Sequence, residues 1–386
     1  MSISRVDLSA VPVVDNHAHP LVRQQPESVE AFRRYWSEAH ATQVAQQHVP
    51  HAVSYLWSLQ QLGQFLGVAP TEEAILRRRL ETPFPEYASG LIEAANLEYL
   101  LLDVGYPPPD AAYGVEQMQE MLGINVGRIL RLETLLQDLV MRHSSFRDLV
   151  AAFDAEVSRA RDAGYVALKS IAAYRTGLAI EPVTHERAEA AFGLVRREAE
   201  QAGSIRLASK PLIDFFVVRA IREAAKQELP VQFHTGYGDP DLDLRLSNPL
   251  HLRPIFEDDS LTGAPIILLH ESYPYTAEAA YLATVYPNAY VDIAFTLPPL
   301  DRGELRRAVG IALGTAPASK VMCSSDGVCI PEQYWLGAVR ARQIVGEVLS
   351  EMAEADELSV QKAEQLGRMV LRDSAIRVYG LLPTPS

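Results

Sequence analysis

Eight short apolar runs constrain this chain more than any other feature of its sequence. Most end in a polar or charged residue and lead into an amphipathic stretch. They fall at residues 12–17, 97–103, 127–132, 165–169, 231–234, 265–270, 289–294 and 320–326. Between most of them lie helical patterns such as 135–143, 186–202 and 215–227. Strands this apolar are buried on both faces, and their alternation with helices makes a parallel sheet. Eight such units close on themselves, which predicts an α/β fold of the (β/α)8 TIM-barrel type rather than an open doubly wound sheet.

The chain has 386 residues, whereas a barrel needs about 250, so there is room for additions. Residues 20–96, between the first two runs, carry helical patterns far beyond what a strand-to-helix connection requires. We expect a helical insertion there, lying over the C-terminal face of the barrel where substrate sites sit; a packing embellishment is the bland alternative. Helical patterns at 337–352 and 359–380 are expected to close the fold. Residues 1–386 are thus expected to form one barrel domain.

Hydrophobic residues make up 48% and charged residues 22%, enough for a large core and against disorder. The net charge of -14 argues against nucleic acid or an anionic membrane as partner. No apolar run approaches the roughly 20 residues of a membrane span, and the N-terminus lacks the pattern of a signal peptide. Cys323 and Cys329 have neither a disulfide-framework nor a zinc-knuckle spacing. A cytoplasmic enzyme with reduced thiols, a small-molecule substrate and a homo-oligomeric state of closed symmetry is the expectation.

His17 and His19 stand two apart at the polar end of the first run, so both imidazoles would leave the strand on one side. His234 and His270 each end a strongly apolar run, and Asp326 ends the last one. A satisfied core histidine, or a helix N-cap for Asp326, is the alternative for each taken alone. Together they converge on the functional face of a barrel. Nitrogen ligands with a carboxylate suit zinc or a similar divalent ion, which lowers the pKa of water to near 7. Asp326 is then placed both to hold the metal and to move the proton.

Lys169 ends the fourth run, where a charged amine inside an apolar barrel is costly. Two solutions stay open: a carbamylated Lys169 bridging two ions, or an amine paired with a substrate carboxylate or a neighbouring acid. Arg175 offers a planar fork to a carboxylate. Tyr174 and Tyr273 can donate to an oxyanion, and Asp239, in the acidic loop after His234, can hold a substrate amine. A solvated surface is the alternative for Arg175 and Asp239, and simple packing for the tyrosines.

This set of residues resembles the amidohydrolase superfamily over residues 11–330: H-x-H on the first strand, Lys on the fourth, His on the fifth and sixth, Asp on the eighth. Residues 169–174 are also similar to the carbamylated-lysine segment of its hydantoinase branch. Segments 168–178 and 234–258 resemble a branch that includes the amidohydrolase half of fungal and plant proteins fused to a glutamine-synthetase-like domain, a half expected to be absent here. The resemblance implies a metal-dependent hydrolase with one or two ions on His17, His19, Lys169, His234, His270 and Asp326. It implies cleavage of an amide-type C–N bond, γ-glutamyl or related, in a small carboxylate-bearing substrate. Relatives that decarboxylate or isomerise with a single ion are the alternative.

Overall fold

The computed structural model describes residues 6–382. Its strands are β1 (Val13–Ala18), β2 (Leu97–Asp103), β3 (Asn125–Arg131), β4 (Tyr165–Ser170), β5 (Val231–Phe233), β6 (Ile266–Leu268), β7 (Ala289–Ala294) and β8 (Val321–Ser324). They form one parallel sheet in sequence order, with helices in the connections. β8 packs back against β1. Where they meet, Asp326 N donates to His17 O at 3.0 Å and His19 N to Gly327 O at 2.8 Å. This is the (β/α)8 barrel expected from the sequence.

The period of two along each strand sorts side chains between two compartments. Leu100 and Leu102 join the core between sheet and helices, whereas Leu101 joins Val14, Ile129, Ala167, Ile267, Leu269 and Met322 in a second apolar cluster, within the barrel. Tyr379 and its neighbours on helix Ser374–Tyr379 pack against that inner cluster. Two residues further along the same strands, the side chains are Asn16, Asp103, Arg131, Lys169 and Ser324. An apolar floor therefore gives way to a polar layer as the strands approach their C-terminal ends.

Three strands are shorter than their apolar runs. His234 lies one residue beyond β5, and His270 and Asp326 lie two residues beyond β6 and β8. His270 (φ 61°) and Asp326 (φ 48°) are in the left-handed region. There the chain leaves the ladder and turns inward at the rim, a step that apolar patterning does not encode. Asp326 is not a helix cap, because the next helix, Pro331–Glu354, starts later, with Ile330 at its N-cap.

Between β1 and β2 the chain forms helices Val29–Arg33, Thr42–Gln47, Val53–Leu66, Glu72–Glu81 and Phe84–Ala94. Fully buried Arg79 anchors this segment, its Nε donating to Glu332 Oε1 of helix Pro331–Glu354 at 2.6 Å while Tyr87 donates to the same oxygen at 3.0 Å. Among the described residues no helix is long and apolar enough to cross a membrane.

Candidate active site

The C-terminal mouth of the barrel opens into a cleft of about 1050 Å³ lined by His17, His19, Lys169, His234, His270 and Asp326. The Asp326 carboxylate sits among three imidazoles. Its Oδ1 is 3.5 Å from His17 Nε2 and 3.7 Å from His19 Nε2, and its Oδ2 is 3.4 Å from His270 Nδ1. His234 completes the group, with its ring centroid 4.7 Å from that of His270. Lys169 Nζ lies 3.1 Å from His17 Nε2.

Hydrogen bonds behind these rings fix which nitrogen faces the cleft. His17 Nδ1 pairs with Gln232 Oε1 at 2.8 Å, His19 Nδ1 with Tyr106 O at 3.2 Å and His234 Nε2 with Tyr237 O at 2.9 Å. Each partner is an acceptor, so each of these nitrogens donates and the other carries a lone pair. The Gln232 amide is oriented in turn, its Nε2 donating to Asn16 O and to Tyr379 Oη, both at 2.8 Å. Asp292 on β7 accepts from Asn16 Nδ2 at 2.6 Å, from Ser324 Oγ at 2.9 Å and from the His270 main-chain nitrogen at 3.2 Å.

Burial leaves the imidazoles of the site neutral. Burial, reinforced by the Lys169 charge, holds His17 and His234 well below the ordinary histidine range. Burial and the neighbouring His234 do the same for His270, and His19 is pushed down to about 4, again first by burial. Neutral imidazole is the ligand form. Burial drives Lys169 down to about 8 and Asp326 well above the usual carboxylate range. A divalent cation placed among them favours the ionised carboxylate instead.

One ligand atom each from His17, His19 and Asp326 lie within 4.8 Å of one another. His270 Nδ1 is buried and makes no hydrogen bond among the described residues. A nitrogen-rich donor set, an orphaned imidazole nitrogen and locked tautomers behind it fit a divalent metal.

The remaining residues singled out from sequence divide. Tyr174 and Arg175 line the cleft, the Tyr174 ring 4.4 Å from that of His234. Arg175 Nε is buried without a hydrogen-bond partner among the described residues. Asp239 lines the mouth, its Oδ2 3.7 Å from His40 Nε2. Tyr273 is not brought to this cleft. It follows the left-handed run His270–Ser272, and its hydroxyl points to Glu304 Oε2 at 3.4 Å. Sequence reasoning missed Asn16, Asp103, Arg131, Gln232 and Asp292. The signal for Asp103 and Arg131 was present, because each stands at the C-terminal end of its strand in phase with an apolar residue facing the lumen.

Comparison with known proteins decides the family, since the amidohydrolase family model matches residues 14–381. The chain belongs to the amidohydrolase family. A solved structure from Lactobacillus casei, described as that of a metal-dependent hydrolase, is 30% identical to this chain; the match covers 98% of each chain with a TM-score of 0.86. Protein fluG of Emericella nidulans is 29% identical over 97% of this chain. The chain spans 46% of the length of that relative. Uronate isomerase of Thermotoga maritima shares the fold, with a TM-score of 0.67 at 13% identity over 96% of this chain and 95% of the isomerase.

Proposed function

We propose that this amidohydrolase cleaves an amide-type C–N bond in a small carboxylate-bearing substrate, of the γ-glutamyl amide kind, with zinc as the metal. The observation that carries the reading is the Asp326 carboxylate, 3.4–3.7 Å from three histidine nitrogens at the mouth of the barrel. His17, His19 and Asp326 would hold one ion, and His234 and His270 a second, with Lys169 bridging as a carbamate. A bound ion supplies Lewis acidity and brings the pKa of water toward neutrality.

The chain's own residues supply the rest. Asp326 takes the proton of the attacking water and passes it to the leaving nitrogen. The C–N bond breaks, and one water is consumed to give a carboxylate and an amine. Arg175 anchors the substrate carboxylate, Tyr174 donates toward the developing oxyanion, and Asp239 receives an ammonium group. Neutral His17 and His19, locked by Gln232 and Tyr106, keep their lone pairs in the pocket.

A second reading has one ion and an unmodified Lys169 amine. It is favoured by the close grouping of one ligand atom each from His17, His19 and Asp326, within 4.8 Å of one another, and it suits a decarboxylase or an isomerase. The test is to incubate zinc-loaded and manganese-loaded protein with γ-glutamyl amides and N-acyl amino acids and to measure released amine. Amine release dependent on Asp326 supports hydrolysis. No amine from any of them, together with carbon dioxide release from aromatic acids or isomerisation of uronic sugars, overturns it.

A further inference from the structure

Arg131 has no part in the reaction just described, yet it stands in the same cleft. It is the last residue of β3 and the register partner of Lys169 on β4. Adjacent strands lie about 4.8 Å apart and paired residues point the same way, so the guanidinium enters the polar layer beside the lysine. Its side chain keeps 12% of its surface exposed, whereas that of Asp103, at the end of β2, is completely buried.

Asp103 holds the guanidinium by one edge. Arg131 Nε donates to both carboxylate oxygens, at 3.1 Å and 3.0 Å, and Nη2 to Oδ2 at 2.7 Å. Nη1 makes no hydrogen bond among the described residues. The chain also makes room for this arrangement, because a Cβ at Gly105 would lie 2.5 Å from Arg131 Cβ and 2.9 Å from Nε. The Tyr106 ring covers the guanidinium at 6.0 Å and also meets the His19 ring at 5.6 Å. A buried ion pair of this kind is weak evidence for stability, and a merely structural one has no need of a guanidinium edge in the cleft.

The surrounding charge points the same way. Arg175 and Arg206 line the same cleft, and the charges of Arg206 and Arg131 add to burial in lowering Arg175. Arg206 is partnered by Asp241 Oδ2 at 2.9 Å and Tyr174 O at 3.2 Å. Arg175 Nε has no hydrogen-bond partner among the described residues. The cleft presents more guanidinium donors than its carboxylates use.

We propose that Arg131, oriented by Asp103, is a further anion-recognition residue of the site besides Arg175, taking a substrate carboxylate on its Nη1 edge beside Lys169. The proposal rests on the hydrolase reading and narrows its substrate class to acids whose carboxylate is held close to the reacting bond. Arg175, beyond β4, keeps the carboxylate already assigned to it, so the substrate would carry two anionic groups. Asp103 is a positioning residue that keeps the fork aimed.

The test is calorimetric titration of the zinc-loaded protein with malonate, glutarate and L-glutamate, with uncharged glutaramide as control. At least one carboxylate should bind saturably below about 10 mM, with glutaramide at least tenfold weaker. Arg131→Met and Arg131→Lys should each weaken that binding tenfold or more at unchanged zinc content and melting temperature; the lysine variant keeps a cation against Asp103 and so guards against misfolding. Full-strength carboxylate binding in Arg131→Lys, or no saturable binding by the wild type, overturns the proposal. Amide hydrolysis is not read in this assay. Arg131-dependent binding by a protein that cleaves no amide removes the hydrolase reading alone, whereas amide cleavage with Arg131-independent binding removes this one alone.

Discussion

The main-chain nitrogen of Asp326 donates to the His17 carbonyl oxygen at 3.0 Å, so the seam that closes the barrel is also where candidate ligands from its first and last strands meet. The contact makes the site a consequence of closure. With φ at 48°, Asp326 turns its carboxylate in among the histidines rather than along the strand.

Asp326→Asn should abolish turnover while leaving most of the metal in place, because four histidines remain and the amide keeps one coordinating oxygen. A general acid–base group contributes about 10²–10⁴-fold to rate. Steady-state assay beside elemental analysis separates the two effects, and a fully active variant removes Asp326 from its role.

Gln232→Leu should weaken metal affinity about 10–100-fold, the usual cost of losing a partner behind a ligating histidine. The variant leaves His17 Nδ1 without its acceptor and frees the ring to take the wrong tautomer. Chelator competition reads the change. Tyr379→Phe, one step further back, should do less.

The fold was legible in the sequence, and so were many of the residues that line the candidate site. The strand runs ending in His17, Lys169, His234, His270 and Asp326 carry a strong signal because apolar patterning with a polar terminus is local. Asn16, Gln232 and Asp292 are different. They sit within apolar strands, and only the closed barrel brings Gln232 to His17 and Asp292 to the His270 main chain. Tyr379 is more remote still, reaching Gln232 from the last helix. Tyr273 points away from the cleft after three successive left-handed residues, His270 to Ser272, a turn that residue type does not announce.

Arg79→Met should destabilise the protein by about 3–5 kcal/mol, since it leaves the Glu332 carboxylate buried without its cation. Chemical denaturation measures the loss. The double variant Arg79→Met/Glu332→Leu should recover most of it, and a single variant as stable as wild type would show that the pair is dispensable.

Glu72 gives the pH dependence a defined sign. Hydrogen bonds from Arg33 Nε and Nη2, at 2.7 Å and 2.6 Å, hold its carboxyl below the ordinary 4.5; burial opposes them, and Tyr55, donating at 2.7 Å, assists by less than burial opposes. A lowered folded value means that the contribution is present above pH 4.5 and is lost as pH falls through the folded value. Melting temperatures at pH 7 and pH 3.5 should therefore differ more in wild type than in Glu72→Gln. Equal drops in both proteins would contradict the assignment.

The central claim is that His17, His19, His234, His270 and Asp326 form a metal centre, and metal content per chain tests it most directly. Elemental analysis of protein purified without chelator should find one or two divalent ions per wild-type chain, with two expected if Lys169 bridges as a carbamate. His17→Ala/His19→Ala should lose at least one of them. A wild-type chain that holds no divalent ion, and takes up none from added zinc or manganese, would contradict the account.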